Sequence, residues 1–419
     1  MNVRRSAAVV TVLAVTAGLG GGYTSAAFAD NAPSPSASQA TPTGLYGSTD
    51  PTYDGVWRQS LTLLALDTVG EKPGAGAVEW LAGQQCASGA FAAYRADATA
   101  ECDAKTAVDT NSTAAAVQAL AAVGGRDAET GRAVRWLRDN QNKDGGWGYT
   151  AGGPSDANST SVVIGALTAV ADDPEKQRAD GHSPYDALRA LAIPCGKGEE
   201  DGGGFAYQPD KKGALAANAD ATAAAVLGSL GEGFVAATGK ATGSGGGCVS
   251  GDSPEDLAHN GAVHLAGALA TDGYLTSALA GAEDQPDHGN TADAVVALAA
   301  AGDTGATEKP LAWLEKNYGV WAAGAGPAAY AQLIFAAHTA GDDPRDFGGA
   351  DLVAQLKETG PARDVDDYSS VPNEDTAAGE DGGDGLGAGA WWAIGLGGVA
   401  AVTAAGFVLV RAARKRRRA

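Results

Sequence analysis

Residues 109–125 read DTNSTAAAVQALAAVGG, and residues 156–173 read DANSTSVVIGALTAVADD. The second stretch repeats the first 47 residues later when both are anchored on the Thr at 113 and 160. NADATAAAVLGSLGEG from Asn218 and GNTADAVVALAAAGDTG from Gly289 carry the same Thr at 222 and 291. Leu120, Leu167 and Leu298 each follow that Thr by seven residues. Looser copies begin at Asp54 (DGVWRQSLTLLALDTVG), His259 (HNGAVHLAGALATDG) and Gly326 (GPAAYAQLIFAAHTAG). An internal repeat of this kind governs every later reading of the fold. Each clear copy starts with Asp, Asn, Ser or Thr, whose side chains cap the free N–H groups of a helix start. It then runs for about four turns through small and apolar residues. A helix that is apolar all round is buried on most faces.

A second phrase alternates with the first: AVEWLAGQQ from Ala77, AVRWLRDNQ from Ala133, YDALRALAI from Tyr185 and LAWLEKNYG from Leu311. Trp80, Trp136 and Trp313 hold matching places, and charges occupy the other face. This is the pattern of an outer, half-solvated helix. A third phrase follows, NKDGGWGY at 142–149, EEDGGGFAY at 199–207 and, more weakly, ASGAFAAY at 87–94. There Asp-Gly-Gly turns the chain and an aromatic docks behind it. Buried helices alternating with amphipathic ones predict an all-α protein built as two concentric rings, an (α/α)6-7 toroid over residues 51–358, the copy near His259 supplying the extra pair. A linear helical solenoid is the alternative.

Gln141-Asn142-Lys143-Asp144-Gly145-Gly146-Trp147-Gly148 resembles the Gln/Trp repeat of the prenyltransferase and squalene-cyclase superfamily. The resemblance implies the terpenoid-cyclase toroid, with six helix pairs around a central cavity. DTNSTAAAVQAL and DANSTSVVIGAL also resemble inner-helix starts of the cobalamin carriers, intrinsic factor and transcobalamin. That second resemblance implies a corrinoid ligand. Neither fixes an activity, because one toroid hosts several.

The ends of the chain read as addresses. Arg4 and Arg5, an apolar run from Ala7 to Leu19 and Ala27-Phe28-Ala29 form a signal peptide over 1–29. Residues 30–50 are a Ser/Pro/Thr-rich linker and 359–389 an acidic, Gly-rich stalk. Residues 390–410 hold no charge and, as a helix, would span roughly 30 Å, enough for one membrane crossing. Trp391 and Trp392 suit one interface, and the basic tail 411–419 suits the cytoplasmic side. The expected placement is therefore a single-pass membrane protein with its body extracytoplasmic, close to a membrane uptake system that would receive the ligand. Cys86, Cys102, Cys195 and Cys248 allow three pairings, and nearness in sequence favours Cys86–Cys102 with Cys195–Cys248.

Of 29 basic residues, eight lie in the two ends, leaving 21 against 50 acids in the body. Such a surface disfavours nucleic acid as a partner. Enzyme motifs fare poorly. Asp364-Val365-Asp366-Asp367 matches the acid motif of class II terpene cyclases but falls in the stalk. Asp342-Asp343-Pro344-Arg345-Asp346 matches a magnesium-diphosphate motif but contains a helix-breaking proline. The chain offers no match to the Asp, Cys and His zinc trio of the protein prenyltransferases, no Cys-Gly-Glu-Gln thioester sequence and no D-x-D-x-D-G calcium loop. With 8 Trp, 11 Tyr and 7 Phe, several of them outside the inner helices, the lining is poor for steering a carbocation. The expectation is thus a binding protein with no catalytic residue, metal or cofactor. In a toroid the inner-helix starts gather at one mouth, so Asp109, Asn111, Asp156, Asn158, Asn218 and Asp220 are candidate ligand contacts there, with Trp147, Tyr149, Phe205 and Tyr207 beside them. A terpene-cyclase-like lyase or isomerase and a structural surface protein are the alternatives.

Overall fold

The computed structural model describes residues 42–196, 201–239, 247–278 and 284–361. Twelve α-helices occur among them. They are α1 (Gly55–Thr68), α2 (Ala75–Gly83), α3 (Thr110–Val123), α4 (Asp127–Asp139), α5 (Ala157–Ala169), α6 (Pro184–Leu191), α7 (Ala219–Ser229), α8 (Pro254–Leu269), α9 (His288–Ala300), α10 (Thr304–Ala325), α11 (Pro327–Ala340) and α12 (Leu352–Glu358). The odd-numbered helices pack in sequence, and α11 packs back onto α1, so they close an inner ring of six. Each even-numbered helix lies outside, against the inner helix before it, and all but α12 also touch the inner helix that follows. The architecture is an all-α (α/α)6 toroid.

The repeat explains how each pair is built. The anchor Thr accepts a hydrogen bond from a backbone N–H in the loop that follows the preceding outer helix: Phe91 to Thr113 at 2.9 Å, Trp147 to Thr160 at 3.1 Å, Phe205 to Thr222 at 2.9 Å and Leu275 to Thr291 at 3.0 Å. The residue so held is driven into the wall between the rings. Phe91 and Phe205 are fully buried, and the Trp147 indole N–H donates to the Leu137 carbonyl at 2.7 Å. Two short antiparallel pairs stiffen two of these loops: β1 (Phe91–Ala92) with β2 (Val108–Asp109), and β3 (Leu275–Thr276) with β4 (Pro286–Asp287). The outer helices keep charges outward, as in α4, where Asp127 and Glu129 open the helix and Arg138 closes it in line with its dipole.

The seam between the last pair and the first is sealed by polar contacts. Arg58 of α1, almost wholly buried, donates to the Tyr46 carbonyl at 3.0 Å, to Thr49 and to Asp54. Gln59 Oε1 accepts from the Tyr46 N–H at 2.9 Å, while its amide nitrogen donates to the Gly44 carbonyl. Glu71 binds both Lys357 at 2.8 Å and Arg345 at 3.1 Å. These contacts correct the linker expectation for its C-terminal part. Within 30–50, Leu45 and Tyr46 are buried.

Three further expectations meet the structure here. The copy near His259 is α8, an outer helix, so the ring has six pairs rather than seven. Its Pro-Glu-Asp start and charged first turn give it a solvated face that the inner helices lack. The disulfides are Cys86–Cys102 and Cys195–Cys248, with Cα separations of 5.6 and 5.8 Å. The single-pass membrane placement is corrected: among the described residues no helix is long and apolar enough to cross a membrane. Residues 1–29, 362–389, 390–410 and 411–419, including Asp364–Asp367, lie outside the described residues.

One end of the ring is stoppered by the chain itself. After α7, residues 231–239 turn inward and touch every other inner helix. The Phe234 N–H donates to Gln118 of α3 at 3.0 Å, and the Phe234 ring meets Trp57 of α1 edge-on, 5.2 Å between centroids. Thr238 donates to the Thr339 carbonyl of α11 at 2.7 Å, and the Gly239 N–H donates to the Ala299 carbonyl of α9 at 2.9 Å. Against α5, backbone meets backbone. A Cβ on Gly165 would lie 2.6 Å from the Gly233 Cα, so this crossing requires glycine.

Candidate functional site at the open mouth

The inner-helix N-termini converge toward the other end, which the stopper reaches at one point, where Phe234 meets Trp57 in the first turn of α1. Asp109 caps α3 by accepting from the Ser112 N–H at 2.6 Å, Asp156 caps α5 through Ser159 at 2.7 Å, Asn218 caps α7 through Ala221 at 2.8 Å, and Asp287 caps α9 through Asn290 at 3.0 Å. The neighbouring repeat helps, since the Tyr149 and Tyr207 carbonyls accept the first N–H groups of α3 and α5. The Tyr207 hydroxyl also hydrogen-bonds Asp156. Burial pushes both Asp109 and Asp156 up to about 6, against the pull of these caps. Burial and the nearby Asp109 carboxylate raise Tyr149 to about 12, and burial with Asp156 raises Tyr207 as well.

Two residues past each cap the helix faces the ring axis. Asn111 of α3, Asn158 of α5, Asp220 of α7 and Gly289 of α9 occupy that position. One turn deeper stand Asp293 of α9 and, at the same offset on α11, Gln332. The Asn158 amide nitrogen donates to the Asp220 carboxylate. The Gln332 amide nitrogen reaches both Asp293 oxygens, at 3.1 and 3.0 Å. Asp220 and Asp293 keep some solvent access although most of their helical neighbours are fully covered. Burial dominates both carboxyls. It raises Asp220, helped by Asp287 and opposed by Asn158, and it lifts Asp293 to about 7, helped by Asp220 and Asp287. Two acceptors are left over. The carbonyl oxygens of Asn111 and Asn158 are buried and have no partner, on residues only 3% and 7% exposed. A buried carbonyl without a donor carries a desolvation cost, so these orphans mark a place for a ligand or water.

Of the ten residues expected at the mouth, the structure brings Asn111, Asn158 and Asp220 to the axis. Asp109, Asp156 and Asn218 ring it as caps, with Tyr149 and Tyr207 leaning on Asp109 and Asp156. Trp147 and Phe205 are placed elsewhere, in the wall between the rings, where their side chains pack the repeats together. Sequence reasoning missed Asp293, Gln332 and Gly289. The signal was present, because an acid inside ADAVVALAAAG and a glutamine inside AAYAQLIFAA are polar intrusions into otherwise apolar inner helices. Among the described residues no group of His, Cys, Asp and Glu converges tightly enough for a metal ion. Two shallow hollows of about 190 and 200 Å³ lie away from this cluster, beside Arg138 and Lys176 and beside Trp80 and Arg95.

No family model matches the sequence, and no curated protein does. Among solved structures 26 chains match. A protein from Actinoplanes is 15% identical with a TM-score of 0.48, over 72% of this chain and 95% of that one. The ent-copalyl diphosphate synthase from Streptomyces platensis is 16% identical with a TM-score of 0.45, over 68% of this chain and 50% of that one. The apo type II terpene cyclase MstE from Scytonema is 16% identical with a TM-score of 0.39, over 62% and 68%. The toroid assignment rests on the closure of the six inner helices and not on these likenesses.

Proposed function

We propose that this protein is a non-catalytic toroid that binds a small polar ligand at the open mouth of its inner ring. The observation that carries the reading is the pair of orphaned carbonyl oxygens of Asn111 and Asn158 beside Asp220 and Asp293. Convergent polar groups over an apolar ring are the usual form of a small-ligand site. The stopper at 231–239 sets the size. Phe234 takes the space that a bulky guest would fill, so a corrinoid would have to lie across the mouth. The test is thermal unfolding of the full chain with cobalamin, polyamines, amino acids and nucleosides in turn. A ligand that binds only the folded state raises the midpoint with concentration. Midpoints unmoved by every compound at millimolar concentration would contradict the reading.

A second reading has one observation in its favour. Asp293, raised to about 7, holds its proton at mildly acidic pH, as a general acid for alkene protonation must. A terpene-cyclase-like lyase or isomerase would use it. Against this stand the filled lumen and the small side chains of the inner helices. Incubation of the full chain with geranylgeranyl diphosphate and with squalene, followed by product analysis, decides it. A cyclised product lost in Asp293→Asn would favour the enzyme.

A further inference from the structure

The geometry points to a guanidinium-type organic cation as the ligand of one quadrant of the mouth, between α5, α7, α9 and α11, held by Asp220, Asp293 and Asn158 above a floor left open by Gly289. This deepens the ligand-binding reading and rests on it. Four observations converge.

First, the quadrant is acidic and uncompensated. Among the described residues no lysine or arginine acts on Asp220 or Asp293, and the charge that does act on each is another carboxylate. His288, the nearest base in sequence, has its Nε2 at 3.2 Å from the Asn317 carbonyl, and burial lowers its affinity for a second proton. Second, the remaining valence is all acceptor. The amide nitrogens of Asn158 and Gln332 are used on the two carboxylates, and the carbonyl of the same Asn158 amide is buried with no donor. Third, one position carries no side chain. Asn111, Asn158 and Asp220 fill the axial place on their helices, whereas α9 has Gly289 there. The atoms nearest to a Cβ at Gly289 would be the Gln332 amide and the Trp321 ring edge, each at 3.6 Å, an unstrained contact. Fourth, that floor is bordered by an aromatic. Trp321 stacks on His288 at 5.3 Å with 14° between planes, which fixes the indole beside the gap.

These features select among cations. A metal ion needs ligands drawn to one point, and no such group forms among the described residues. A guanidinium presents five N–H donors in a plane, so it can reach two separate carboxylates and a carbonyl at once. An ammonium is a compact point charge and satisfies fewer of these acceptors together.

The experiment is calorimetric titration of the full chain with methylguanidinium, and with urea as its neutral analogue. Saturable heat is expected from methylguanidinium, with urea weaker by about tenfold or more, the equivalent of about 1.4 kcal/mol. Asp220→Asn and Asp293→Asn should each weaken methylguanidinium by a similar factor. Gly289→Leu should abolish binding by filling the floor. It replaces a glycine near a helix start by a better helix former, so the fold is retained and circular dichroism confirms it. Urea binding as tightly as methylguanidinium would overturn the charge assignment while leaving the ligand-binding reading standing. Binding indifferent to all three substitutions, or absent up to high millimolar concentration, would overturn the site.

Discussion

The two ends of the inner ring are built on opposite terms. At the stoppered end the chain closes on itself. Gln118 accepts from the Phe234 N–H and donates its amide nitrogen to the Val162 carbonyl, and glycine lies on glycine. At the mouth, carboxylates crowd one another, two buried carbonyls go without donors and one axial position is left as glycine. The stopper pairs its own buried polar groups, although the Ser161 and Ser229 hydroxyls near it have no partner, and the mouth leaves two amide carbonyls unpaired. Unpaired carbonyls next to crowded carboxylates are a local violation of the kind found where function is expected. The contrast predicts that substitutions at the stoppered end destabilise, whereas removing charge at the mouth stabilises and removes binding.

The largest effect should come from opening the loop that carries the stopper. Cys195–Cys248 closes 53 residues that include α7 and 231–239, so Cys195→Ser with Cys248→Ser should lower unfolding free energy by about 4 kcal/mol in denaturant titration. Next, Gly165→Val forces a side chain against Gly233. It should cost about 2 kcal/mol and expose the stopper to proteolysis. At the mouth the sign reverses. Asp293→Asn should raise stability by roughly 1–2 kcal/mol at pH 8, allowing for partial solvent access. The raised carboxyl binds a proton in the folded state that the unfolded chain releases near pH 4. Stability from this group is therefore fully present below about pH 4 and lost progressively as pH rises to about 7, and the gap between variant and parent should narrow as pH falls and close near pH 4. The smallest effect is a pure cap. Asn218→Ala removes the acceptor for the Ala221 N–H and should cost about 1 kcal/mol at any pH in the neutral range.

The ring was legible in the sequence because its parts are local. A Thr four residues after a cap, a Gly-Gly turn and an aromatic recur, and each makes its contacts within about one repeat. Cys86–Cys102 and Cys195–Cys248 followed from proximity. The choice between six and seven pairs stayed open because α8 is rich in small residues like an inner helix, whereas its acidic first turn and its neighbours place it outside. The stopper was hidden for a different reason. Residues 231–239 have no helical period, and the glycines make sense only through distant partners: Gly233 lies against the Gln118 amide, 115 positions away, and Gly165 against the Gly233 backbone, 68 positions away. Asp293 and Gln332 were overlooked because anchoring on the helix starts draws attention to the caps, while the axial face continues one turn deeper. The buried Arg58 and Gln59, in a helix that reads as apolar, answer to the segment 42–49, which composition alone assigned to a linker.

On the proposed reading, the mouth holds a carboxylate in a costly state kept for a ligand. The most direct test of that reading is the titration of the Asp293 side-chain carboxyl by carbon-13 NMR, assigned by difference from Asp293→Asn in the full chain. A midpoint near 7, moving downward when methylguanidinium is added, is the predicted result. A midpoint near 4, unmoved by the cation, would contradict it.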